Sequence, residues 1–154
     1  MNMKMKLVLG SLAMVVGAGY GAAVMAQAKP ETLLKQRQAG MTLIGKYWGP
    51  IASMPSGKAP YNAERVTTNA AYLEVLAKLP WDGFHENTKE LKSGALPAVF
   101  TDGAKFKQGA ERLQTTTAQL AKVSKGGDEA TVKAAIADVG KSCGGCHENF
   151  REKQ

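Results

Sequence analysis

The chain reads as all-α, an antiparallel four-helix bundle with one long connection. Three observations predict this. Four stretches carry apolar residues at alternating steps of three and four, the spacing of a single helix face. No stretch shows the apolar–polar alternation of a half-buried strand. Aromatic residues make up only 6% of the 154 residues while glycine alone numbers 17, so the helices must meet largely through small side chains.

The first helix is expected from Pro30 to Ser53. Proline suits a first helical turn, and Glu31 sits favourably at the positive end of the helix dipole. Its inward positions are Leu34, Arg37, Met41, Ile44, Trp48 and Ile51, and Pro50 should kink or end it. A loop from Met54 to Pro60 leads to a second helix from Asn62 to Leu79, with Ala63, Val66, Ala70, Leu73 and Ala77 on one face and Pro80 as its stop. Residues 81–100 keep no period and are punctuated by Gly83, Gly94 and Pro97. A connection of that length is usually functional or mobile. Thr101 reads as the N-cap of a third helix with Phe106, Ala110, Leu113, Thr117 and Leu120 inward. Gly126 and Gly127 stop it, and Asp128 caps a fourth with Val132, Ile136, Val139, Cys143, Cys146 and Phe150 on its face.

Ahead of these helices lies a different kind of segment. Lys4 and Lys6 precede an apolar run from Leu7 to Val16, and small residues follow up to Ala28. This is the pattern of a secretory signal, with cleavage after Ala26 or Ala28. The run is too short and glycine-rich for a comfortable membrane span. Residues 27–154 then form one domain, exported to the periplasm and expected to be soluble, since no second segment is apolar enough to span a bilayer. Loss of Lys4 and Lys6 lowers the net charge from +7 to +5. Charged residues at 21% and hydrophobic residues at 44% exclude global disorder. No segment joins basic to aromatic residues in the manner of a nucleic-acid binder. Two cysteines are too few for a disulfide scaffold, and two histidines too few for a histidine-rich metal cage.

The strongest motif is Cys143-Gly144-Gly145-Cys146-His147, a C-x-x-C-H string. Such a string reads as covalent attachment of a c-type haem. Residues three apart share a helix face, so two thiols can add across the two vinyl groups of a haem edge. The next residue, His147, then brings its imidazole under the iron. Export is independent support, because these thioethers form outside the cytoplasm. Other uses of the pair remain open at this point. Cys143 and Cys146 can form a disulfide. A thioredoxin-like pair wants a βαβ setting and a helix N-terminus, and neither is visible. A zinc site would need His85 or carboxylates to complete its four ligands. Nothing after His147 supplies a sixth iron ligand, so one would come from Met41, Met54 or His85.

Arg37 to Ile44, Trp48-Gly49-Pro50, Leu79-Pro80-Trp81, Phe106-Lys107 and the string from Cys143 to Arg151 together resemble the cytochrome c′ family over nearly the whole mature chain. The resemblance implies an antiparallel four-helix bundle holding one haem c. It implies Cys143 and Cys146 as thioether residues and His147 as axial ligand. Met41 matches the bulky distal residue, Arg37 and Gln38 match haem-contacting positions, and Arg151 matches the basic residue beside the proximal imidazole. Trp81 and Phe84 look like pocket walls. Alignment on Pro97 puts Gly94 where relatives usually carry an acid. On the residues alone, Arg37 on an apolar seam needs a partner or must snorkel to solvent.

The function expected is a five-coordinate, high-spin haem crowded by Met41, open to uncharged diatomics such as nitric oxide and carbon monoxide and able to transfer electrons. The alternative is a low-spin electron carrier with Met41 as sixth ligand. A haem-free helical module is a third class. No activated nucleophile or acid–base pair points to an enzyme. The resemblance also implies a homodimer through the first two helices. Lys141, Arg151 and Lys153 could guide an acidic redox partner, though a solvated basic face is the plainer reading.

Overall fold

The computed structural model describes residues 28–153, so the signal-sequence reading lies outside the described residues. Four long helices run up, down, up and down: α1 (Pro30–Ala52), α2 (Ala63–Leu76), α4 (Gly103–Val123) and α5 (Glu129–Phe150). A single helical turn, α3 (Ala98–Thr101), precedes α4. The chain has the antiparallel four-helix bundle fold. No helix among the described residues is long and apolar enough to cross a membrane.

Local chemistry sets the helix ends. Pro30 occupies the first turn of α1, where its missing N–H costs nothing. Pro50 lies in the last turn and the helix closes two residues later. The turn beyond it uses Gly57 at φ +73°, a left-handed conformation that suits only glycine well. The Asn62 side chain caps α2 by accepting from the Arg65 N–H at 2.7 Å. Asp128 caps α5, accepting from the N–H of Thr131 at 2.9 Å and from its hydroxyl at 2.8 Å. The N-cap expected at Thr101 is not there. Thr101 ends α3, and Asp102 enters α4 in a non-helical conformation without a side-chain cap. The helix expected to reach Leu79 stops at Leu76, because the chain must turn sharply through Ala77–Pro80 to cross the bundle end.

Burial corrects the seam of α1. Leu33, Arg37, Gly40, Ile44 and Ile51 are buried, whereas Leu34, Met41 and Trp48 are half-buried. The expected single face is two adjacent stripes, one against α2 and the connection, the other towards α5. The main core gathers Ile51, Met54, Val66, Ala70, Leu73, Leu120, Ala121, Val132, Ile136 and Val139, where the C-terminal half of α1 and the N-terminal half of α5 meet α2 and α4. Toward the other end α1 and α5 diverge. They approach where Trp48 lies against Gly140, and a Cβ on that glycine would sit 3.3 Å from the indole.

The connection is ordered. It forms two 3₁₀ turns, Trp81–Phe84 and Glu86–Thr88, and then pairs briefly with the end of α5. Leu96 N–H donates to the Phe150 carbonyl at 3.0 Å, and Glu152 N–H to the Gly94 carbonyl at 2.9 Å. Sequence periodicity gives no sign of this isolated bridge.

Candidate haem site

The divergence of α1 and α5 opens a cleft of about 780 Å³. Every site residue expected from the sequence lines it: Arg37, Gln38, Met41, Trp81, Phe84, Cys143, Cys146, His147 and Arg151. The wall from α5 carries the thiols and the imidazole. Met41, Ile44 and Trp48 face in from α1, and Phe106, Gly109 and Leu113 from α4. Met54 and His85 are absent from the lining; Met54 is 1% exposed in the core, and His85 accepts from the Asn87 N–H at 3.2 Å. Of the three upstream ligand candidates, only Met41 reaches the cleft.

The residues of the motif do not all face the core as its periodicity suggests. Ser142 is the buried neighbour, its hydroxyl bonded to the Val139 carbonyl at 2.7 Å and paired with the Thr116 hydroxyl at 3.1 Å. That contact ties α4 to α5 beside the motif. Cys143 and Cys146 are half-buried free thiols on the cleft side. Burial pushes both thiol pKa values up, and for Cys143 the neighbouring Cys146 adds to the rise. His147 stands exposed at the rim. The protein around its ring, helped by the Arg151 charge, still holds its pKa below the usual value. The neutral imidazole so favoured is the form with a lone pair for a metal.

Of the two sequence expectations for Arg37, partnering rather than snorkelling holds. It is 3% exposed, so it does not snorkel. Its Nη1 donates to the Gly83 carbonyl at 2.9 Å and to the Thr88 hydroxyl at 2.7 Å, and its Nη2 to the Ser93 hydroxyl at 3.0 Å. The guanidinium also lies 4.8 Å from the centre of the Phe84 ring. Burial lowers its pKa, though a guanidinium keeps its charge inside a protein. Thr88, Ser93 and Gly83 were invisible as site residues, because each contacts Arg37 from a segment with no sequence period. The aromatic wall is continuous: Trp81, Phe84 and Phe106 pack in pairs with centroids 4.8–6.1 Å apart, and Phe150 meets Phe106 at 5.3 Å.

The donor set fits a haem. The lining is apolar over most of its extent, as a porphyrin face requires. Its charged side chains are Arg37 and Arg151, with no Asp or Glu among them. A cleft with cations and no carboxylate of its own suits a ligand that brings two carboxylates. Two free thiols one helical turn apart then supply the attachment.

Fold and site together define a four-helix protein that holds a haem covalently from its last helix. The family model described as Cytochrome C' matches residues 32–151. A cytochrome c' of Rubrivivax gelatinosus is 39% identical over 126 residues, covering 81% of this chain and 98% of the relative. The cytochrome c prime structure from Shewanella frigidimarina superposes with a TM-score of 0.77 at 31% identity, covering 82% of this chain and 99% of that one. A variant of the Alcaligenes xylosoxidans cytochrome c prime, solved as its nitric oxide complex, gives a TM-score of 0.73 at 35% identity over 83% of this chain and 99% of that one. This chain belongs to the cytochrome c' family, and its cofactor is one covalently bound haem c.

Proposed function

We propose that this is an exported, single-domain cytochrome whose haem iron is held by His147 and kept open beneath Met41 for uncharged diatomic gases. The haem supplies an iron that binds nitric oxide or carbon monoxide and takes up or gives back one electron. The polypeptide decides what reaches it. Cys143 and Cys146 fix the ring to α5, His147 presents a neutral imidazole, and Gln38 and Arg151, with the N–H groups that Arg37 does not spend on the connection, are left for the carboxylates. Met41, facing into the cleft from α1, would cover a bound haem with an apolar, pliant thioether. Two of the polar side chains beside it are committed elsewhere. Thr42 donates to the Gln38 carbonyl at 2.8 Å, and Arg37 is turned to the connection. A pocket poor in free donors favours nitric oxide and carbon monoxide over oxygen and charged ligands. The nitric oxide complex of the Alcaligenes relative supports this reading. With both thiols used for attachment, the lining offers no nucleophile–base pair, and we infer no turnover of an organic substrate.

The observation that carries this reading is the placement of His147 on one cleft wall and of Met41, the one of the three upstream candidates that lines the cleft, on another. The same observation leaves one rival, with the Met41 sulfur bound to iron. Absorption and electron paramagnetic resonance spectra test the two. High-spin iron in both oxidation states is the expected result; a low-spin spectrum with a methionine-to-iron charge-transfer band would overturn it.

Periplasmic location rests on the signal-like segment and on thioether chemistry. A homodimer through α1 and α2 is supported by exposed Leu43, Tyr72, Val75 and Leu79 and by the Tyr47–Tyr72 stack, centroids 4.5 Å apart, that joins the two helices. Sedimentation equilibrium checks it, and a monomer throughout the micromolar range rejects it. An acidic electron partner remains part of the proposal, guided by Arg151 at the rim and by Lys141 and Lys153.

A further inference from the structure

Two walls of the cleft, Trp81 and Phe84, stand on a connection with little apolar material of its own. Its buried residues between positions 80 and 98 are Pro80, Gly83 and Thr88. Apart from the packing of Trp81 and Phe84 on Phe106, what fixes it is polar and converges on Arg37. The first 3₁₀ turn is pressed so closely on α1 that a Cβ at Gly83 would lie 2.6 Å from the Arg37 Cβ and 2.7 Å from the Leu33 carbonyl. Thr88 is fully buried. Its hydroxyl accepts from Arg37 at 2.7 Å and donates to the His85 carbonyl at 2.7 Å, so it joins α1 to both 3₁₀ turns. The Ser93 hydroxyl accepts from Arg37 at 3.0 Å and from the Ala95 N–H at 3.3 Å. Ala95 lies in the short pairing with the end of α5. A chain of hydrogen bonds thus runs from the helix that carries Met41, through the connection, to the helix that carries His147.

We propose that Thr88 and Ser93 are positioning residues for gas binding, acting through Arg37 to hold the Trp81–Phe84 wall against the cleft. This rests on the gas-binding reading above. Thr88 does not line the cleft, so its effect must pass through Arg37 and the turns it fastens. Valine has nearly the shape of threonine but offers neither donor nor acceptor. Thr88→Val leaves a buried guanidinium N–H of Arg37 short of an acceptor, which costs more than one net hydrogen bond, while the His85 carbonyl keeps the Thr88 backbone N–H at 2.9 Å. Local opening of the connection then becomes commoner without global unfolding.

The test uses the haem-loaded protein and three variants, Thr88→Val, Thr88→Ser and Ser93→Ala. Amide exchange over residues 81–96 should quicken about tenfold in Thr88→Val and less in Ser93→Ala, while α2 and α4 exchange as before. Carbon monoxide association with the ferrous protein should rise by a similar factor, and the bound carbon monoxide stretching band should broaden. Thr88→Ser, which restores the hydroxyl, should return all three to wild type. Thr88→Val with a lower unfolding midpoint but wild-type association rate and stretching band would overturn the proposal, since a merely structural threonine behaves that way. A wild-type protein that forms no carbon monoxide complex sinks the gas-binding reading instead. The exchange data, with the serine rescue, then decide alone whether Thr88 holds the wall.

Discussion

The two ends of the bundle are built on different principles. At one end, Ile51, Val66, Leu120, Val132 and Ile136 are wholly excluded from water, and all four long helices close on one another. At the other, α1 and α5 part, Met41, Trp48 and Cys143 are only half-buried, and hydrogen bonds from one arginine hold the connecting segment. The first end is complete as a polypeptide. The second is shaped for something the twenty amino acids do not supply. Stability and chemistry are thereby separated along the same helices: α5 enters the core at Val132, one turn past its exposed cap Asp128, and carries His147 at the rim near its other end.

Removing the cofactor should strain this comparison most. Replacing both Cys143 and Cys146 by serine prevents the thioethers, so the mass of the denatured protein falls by one haem. Unfolding followed by circular dichroism should then need less denaturant, by on the order of 4 kcal/mol or more, the scale of a ligand held far above its Kd. An unchanged midpoint would mean that the cleft end stands without its haem and that the division between the ends is false. Next in size is the core itself. Ile136→Ala at the closed end should cost about 2–5 kcal/mol, measured by the same unfolding curve. The haem absorption spectrum should not move. A changed spectrum would show that the two ends are mechanically coupled.

The closed end was the more legible half. Steps of three and four place Val132, Ile136 and Val139 correctly, because a buried helix face leaves a periodic trace. The Asp128 cap and the glycine stop before it are local signals that need no tertiary context. The C-x-x-C-H string is legible for another reason, since covalent attachment demands fixed spacing on one chain. The other lining residues expected from the sequence also meet in the cleft, but the contacts that hold them there were less open to reading. That Arg37 needs a partner was legible, but not which one, since Gly83, Thr88 and Ser93 lie beyond any helical period. Met41 was assigned to the seam, whereas the buried place beside it belongs to Gly40, where a Cβ would lie 3.2 Å from the Pro80 ring. Thr101 carried a cap signal that Pro97 and Val99 overrode by forming a turn of their own before α4. Contacts between distant segments decide such places, and a single sequence records only one side of each.

Met41 sharpens the contrast at a smaller scale of energy. It is as large as Ile136 but half-buried beside a cleft, so Met41→Ala should cost less than about 1 kcal/mol, below the range of a filled core site. Its effect should show in ligand kinetics. If the thioether is a steric cover, carbon monoxide association with the ferrous protein should rise about tenfold or more when it is cut back, as distal crowding governs access to haem iron. Unchanged kinetics would deny it that place. A switch from low to high spin in the variant would instead identify the sulfur as an iron ligand.

The smallest effect belongs to Asp128, at the end of α5 farthest from His147. Hydrogen bonds from the Thr131 N–H and hydroxyl stabilise its carboxylate and pull its pKa below the ordinary 3.8. A depressed carboxylate contributes stability that is fully present above the ordinary value and is lost as pH falls through the folded one. Asp128→Ala should therefore lower the urea midpoint at neutral pH, and the gap from wild type should narrow as the medium is taken down to about pH 2. Asp128→Asn keeps an acceptor for the Thr131 N–H but carries no charge, so it should fall between the two at neutrality and drop the acid-side dependence this residue adds. Since Asp128 lies beyond the core from the cleft, neither variant should alter the haem spectrum at neutral pH. A spectral change in Asp128→Ala would mean that loosening the first turn of α5 is felt at its last, and the two ends would have to be treated as one cooperative rod.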